Sequence, residues 1–163
     1  MNSSPQPPVP AERMARREWM AVLARTPREH IREALDAALG SASPPAFDWL
    51  RAPEIGLAMV RGRIGGTGDA FNAGEVTVTR ATLRLRMPDG SAPVGVAVHM
   101  GRDKERAKLA ALIDAMLHVP ALEAPLHERL LRPLAARIAE RRAHRQAQAA
   151  RTKVEFFTMV RGD

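Results

Sequence analysis

Between Arg63 and Arg80 the chain reads R-I-G-G-T-G-D-A-F-N-A-G-E-V-T-V-T-R, and these residue types suit the capture of an anion. Gly65, Gly66, Gly68 and Gly74 fall within ten residues, with Thr67 among them and an arginine at each end of the block. Glycine lets a backbone adopt positive φ or approach another group closely. Successive N–H groups in such a loop can cradle a phosphate, and a guanidinium can grip it with two parallel hydrogen bonds. Arg63 and Arg80 could act in that way if adjacent strands brought them together. A tight turn between two strands needs the same glycines and binds nothing, so both readings stand on residue types alone. The block is no Walker A loop, because no Gly-Lys-Ser/Thr follows. It is no dinucleotide fingerprint either, because a β-pattern and not a helix comes next.

A second candidate anion site is G-R-D-K at 101–104, where Arg102 and Lys104 flank a predicted helix start. Free N–H groups there favour an anion, whereas Asp103 as N-cap would use them up. Other chemistry is poorly supplied. Without cysteine the chain can form no disulfide, thiolate metal site, Fe–S cluster or cysteine nucleophile. His30, His99, His118, His127 and His144 show no metal-binding spacing, and His99 reads as a hydrogen-bonded structural residue on a strand. No serine sits in a G-x-S-x-G elbow and no acidic pair stands out, so we expect no catalytic residue and no metal.

The elements that must position these residues follow from periodicity. Ala15, Trp19, Val22 and Leu23 recur at helical spacing and predict a helix over 11–25. Thr26 as N-cap and Pro27 at the first turn open a second helix, ended by Gly40. After a Ser/Pro linker at 41–46 the period becomes two from Ile55. A strand then runs from Glu75 to Met87, placing Leu83, Leu85 and Met87 opposite Arg80, Arg84 and Arg86. A third strand covers 94–100, with Gly95, Ala97 and His99 on one side, completing an antiparallel meander. Leu109, Leu112, Ile113, Met116 and Leu117 make an amphipathic helix stopped by Pro120. Helical pattern resumes over 122–153, with Pro125 and Pro133 as start or kink points, and the apolar end, with Phe156, Phe157, Met159 and Val160, reads as a terminal strand. The fold class is α+β: N-terminal helices, a β-meander, C-terminal helices and a terminal strand. Residues 1–10, with four prolines, read as a disordered tail ahead of one domain over 11–163.

The chain of 163 residues carries a formal +7, but 128–153 alone holds eight basic and two acidic side chains. The rest is near balance, with 17 basic and 16 acidic residues. That helix could bind nucleic acid or an acidic partner, or form a solvated face. No apolar run approaches the roughly 20 residues a membrane helix needs.

Taken together, the 63–80 block, G-R-D-K (101–104), A-L-I-D-A (111–115) and V-E-F-F-T-M-V-R-G-D (154–163) resemble the PhnG family, a subunit of bacterial carbon–phosphorus lyase. R-E-W-M-A-V-L-A (17–24) and A-P-E-I-G-L (52–57) add to the resemblance, which covers most of the chain in order. It implies a cytoplasmic, non-catalytic subunit working with PhnH, PhnI and PhnL, in a core assembly joined by PhnJ. That assembly displaces adenine from MgATP by a phosphonate, giving ribose 1-phosphonate 5-triphosphate. MgATP would be substrate of the complex, with no cofactor held by this chain alone. Phe156, Phe157, Met159 and Arg161 are then candidate interface residues. The basic helical region at 119–150 carries little of the resemblance, and a nucleic-acid-binding module built on the 128–153 helix is the alternative.

Overall fold

The computed structural model describes residues 13–151. The expected tail at 1–10 and the expected terminal strand, with Phe156, Phe157, Met159 and Arg161, lie outside them. Two helices, α1 (Arg16–Arg25) and α2 (Arg28–Leu39), lead into a sheet of β1 (Phe47–Arg63), β2 (Ala70–Leu85) and β3 (Val94–Met100). The helices α3 (Lys104–Met116), α4 (Pro120–Leu126) and α5 (Arg132–Arg151) follow, with a π-helical turn at His127–Leu131 joining the last two. The mixed α+β class agrees with the sequence.

Local chemistry explains most boundaries. Gly40 ends α2 at φ 61°, its N–H bonded to the Asp36 carbonyl. Asp103 caps α3 by accepting the Arg106 N–H at 3.0 Å. Pro120 opens α4 at a position where its missing N–H costs nothing. Thr26 departs from expectation. Its hydroxyl donates back to the Val22 carbonyl at 2.8 Å, and Pro27 takes the cap position of α2.

The sheet is an antiparallel meander in the order β1-β2-β3. β1 starts at Phe47, well before Ile55. Register shifts between Trp49 and Arg51 and between Arg51 and Glu54 interrupt the alternation there. β1 is an edge strand, where Pro53 is tolerated. On the inner face, Ala81, Leu83 and Leu85 of β2 and Ala97 of β3 are buried against α3. The helix α3 is covered on nearly all sides, not only along the stripe predicted for it. Leu109, Leu112, Ile113 and Met116 are buried, and so are Ala107, Ala110, Ala111 and Ala115. It forms a middle layer between the sheet and α1 and α2, so its polar back is replaced by alanine.

Small residues permit that close seat. A Cβ placed on Gly95 would lie 1.9 Å from the Ala111 carbonyl oxygen and 2.5 Å from the Ala115 nitrogen. Glycine is required there by contact with another backbone, not by its own dihedral angles.

Beyond the partners of β3, β1 and β2 continue as a bare two-stranded ribbon. The β3 pairing covers β2 from Val78 to Arg84, whereas the β1 pairing runs on to Arg63 opposite Ala70. This arm carries the glycine block at its tip.

Candidate functional site

The glycine block closes the ribbon as a strand-to-strand loop. Ile64–Gly66 make one 3-10 turn, with Gly65 at φ 60° and Gly66 at φ 82°. The Gly68 N–H donates to the Ile64 carbonyl at 2.9 Å, and Arg63 Nη1 donates to the Gly68 carbonyl at 3.0 Å. Arg63 thus fastens its own loop. Thr67 and Ile64 are exposed at the tip. A valine at Gly66 would be held in the left-handed region, at roughly 1–2 kcal/mol. We expect Gly66→Val to speed amide hydrogen exchange along 58–74 and leave α3 unchanged.

Arg63 and Arg80 are not brought together. Arg80 faces Glu54 across the ribbon and Arg63 faces Ala70. At roughly 3.3 Å per residue this puts the two arginines on the order of 30 Å apart. The two-arginine clamp that proximity would have allowed is absent. Arg80 donates to Glu54 at 2.6 Å, and Arg84 and Arg86 lie 3.9 and 3.6 Å from Asp48. The arginines of β2 are therefore matched by carboxylates on β1, as cross-strand pairs on a solvated face.

At the start of α3, the Asp103 carboxylate occupies the helix N-terminus, with Arg28 at 3.6 Å. Arg102 and Lys104 lie exposed beside it. His99 is buried, its Nδ1 at 2.9 Å from the Met100 carbonyl and its Nε2 at 2.9 Å from the Asp103 carbonyl, so it ties the end of β3 to the start of α3. Among the described residues no group of three or more His, Cys, Asp or Glu could hold a metal ion, and no helix is long and apolar enough to cross a membrane.

The feature that residue types did not disclose is Asp114. It sits on α3 with no exposed surface, yet every approach to its carboxylate is satisfied. Arg16 reaches it from α1 with Nε at 3.3 Å and Nη2 at 2.7 Å. The Trp19 Nε1–H donates at 2.8 Å and the Val96 backbone N–H at 2.9 Å. The bond to Asp114 raises the Arg16 pKa above its ordinary value. Trp19 is held in place in turn by edge-on contacts with His118 and His127, at 5.9 and 5.7 Å between ring centres. Burial pushes the His127 pKa down. One carboxylate therefore joins α1, α3 and β3, and an acid at 114 amid Ile113, Ala115 and Met116 was the available signal.

Arg16 with Trp19, Val96, and Asp114 lie in three scattered stretches of sequence that meet at one point. The profile of the family described as Phosphonate metabolism protein PhnG matches residues 14–162. The chain belongs to the PhnG family. It is similar to the alpha-D-ribose 1-methylphosphonate 5-triphosphate synthase subunit PhnG of Rhizobium meliloti (strain 1021). The two are 44% identical over 148 residues, covering 91% of this chain and 90% of that relative. In this PhnG-family chain, A-L-I-D-A and R-E-W-M-A-V-L-A carry the buried Asp114–Trp19 bond. Those two stretches of the resemblance therefore serve the packing.

Proposed function

We propose that the chain is a required, non-catalytic subunit of a synthase in which a phosphonate displaces adenine from MgATP. The product is ribose 1-phosphonate 5-triphosphate, and the sister subunits are PhnH, PhnI, PhnL and PhnJ in the cytoplasm. One observation carries the subunit reading. Large apolar side chains are left exposed along the ribbon: Ile55, Leu57 and Met59 share one face of the arm, with Ile64 at its tip. Leu57 is 64% exposed and Ile64 74%. A two-stranded ribbon is marginal in water, and an apolar row of this kind left open to solvent marks a protein interface. A sister subunit laid along the arm would cover it. The relative's name, a synthase subunit, fits that reading.

Co-expression with the four sister subunits tests it. A Leu57→Asp/Met59→Asp chain should fold, by circular dichroism, yet drop out of the purified assembly. If it co-purifies as well as the unaltered chain, the arm is not the interface. In the same assembly, Arg63→Ala reports on the loop. Adenine release from ATP lost with assembly intact would put the loop against substrate, and release unchanged would leave it a turn.

A further inference from the structure

A cleft of about 680 Å³ lies where α5 passes the ends of α1 and β3, away from the glycine loop. Its apolar lining is Ala24, Met100 and Ile138. Four arginines surround it: Arg25 from α1, Arg106 from α3, and Arg141 and Arg145 from α5, with His144 beside them. Glu140 is the one acid in the lining, so the cleft carries a formal +3 with histidine neutral.

These cations are poorly compensated. Among the described residues, Arg25, Arg141 and Arg145 form no ion pair. Arg141 and Arg145 are four apart on one helix face, where like charges repel. Arg106 is partly buried and donates through Nη2 to the Ala24 carbonyl at the end of α1. Its Nε is buried without a partner. Burial lowers the Arg106 pKa, with Asp103 offsetting part of the effect. A partly buried guanidinium that lines a cavity of small-molecule size together with three more calls for a concentrated negative charge. A single carboxylate supplies too little. A chain of phosphoryl groups supplies three or four charges in a few ångströms, with oxygens spaced for guanidinium forks.

We propose that this cleft binds a small polyanion made of linked phosphoryl groups, held by Arg25, Arg106, Arg141 and Arg145. The ligand is either an inorganic polyphosphate or the polyphosphate tail of a nucleotide, whose remaining part would lie on Ala24, Met100 and Ile138. The site does not depend on how the ribbon is covered.

Isothermal titration of the full-length chain with tripolyphosphate, at about 0.15 M salt to suppress diffuse attraction, tests the site. Saturable one-site binding is expected. Arg141→Ala/Arg145→Ala should weaken it roughly tenfold or more, since each charge-assisted bond is worth a similar factor. Arg142→Ala/Arg151→Ala removes two charges from the same exposed helix outside the cleft and should change it by less than about twofold. No saturable binding, or equal weakening by both pairs, would overturn the proposal. ATP binding equal to tripolyphosphate identifies the phosphoryl chain as the recognised part. Tighter ATP binding, lost on Met100→Asp, adds the nucleoside. An acidic peptide or a short oligonucleotide that displaces tripolyphosphate at far lower concentration would make the cleft a macromolecular surface and sink the idea.

Discussion

Replacing Asp114 with alanine is expected to cost about 3–5 kcal/mol, the usual penalty for removing one partner of a buried charge pair. The loss has three parts. The Arg16 guanidinium, the Trp19 indole N–H and the Val96 backbone N–H all lose their acceptor at once. The indole N–H is shut away from water, so nothing replaces its bond. The midpoint of thermal unfolding should fall by on the order of 10 °C, at roughly 2–4 °C per kcal/mol for a chain of this size. Asp114→Asn keeps an acceptor for Trp19 or Val96 and should land between the two. Arg16→Ala should also be costly, because it leaves the fully buried Asp114 carboxylate with its N–H donors but without its guanidinium. A calorimetric series of the three variants checks the assignment. If Asp114→Ala left the melting temperature unchanged while abolishing turnover of the assembly, the carboxylate would be a reacting group and not a structural one.

The second large effect is at Gly95. Any side chain must displace main-chain atoms of α3, since a Cβ would sit 1.9 Å from one and 2.5 Å from another. Overpacking a core costs about 1–3 kcal/mol where side chains can give way, and here the obstacle is backbone. Gly95→Ala should therefore cost at least about 3 kcal/mol, and Gly95→Val should prevent the sheet from seating under α3. Near-ultraviolet circular dichroism of Trp19 and the urea midpoint would both report it. Gly56→Ala is the control, for nothing lies within 4 Å of a Cβ there.

The legible features were those decided by neighbours in the chain. Gly40 and Asp103 as caps, Pro120 as a helix start, and the two faces of β2 each depend on a few adjacent residues. What was hidden depends on register. The alternation that marks a strand is broken near the start of β1 by two register shifts, so periodicity began the strand at Ile55, eight residues after its true start at Phe47. The same register carries Arg80 to Glu54 and Arg63 to the tip, a separation that spacing in sequence cannot disclose. Asp114 stood in view as one polar residue in an apolar helix. Its meaning came only when Arg16 and Trp19 arrived from nearly a hundred residues away. The cleft was hidden for a similar reason, since its four arginines come from three helices, and composition had located only the charge of the last.

The π-helical turn at His127–Leu131 has a consequence for the direction of the chain beyond it. The Arg132 N–H reaches back to the His127 carbonyl, five residues away, and Pro133 follows directly. A proline in regular helix would collide with the carbonyl four residues earlier, and the wider turn makes room for it. The ring thereby pins the irregularity to one place. Leu134 is the one buried side chain that α5 offers the body of the protein. The azimuth of α5 is thus set at its root by this joint and steadied one turn further on, where Arg137 reaches His30 and Glu33 of α2. The arc swept by Arg141 and Arg145 is decided some ten residues before either is reached.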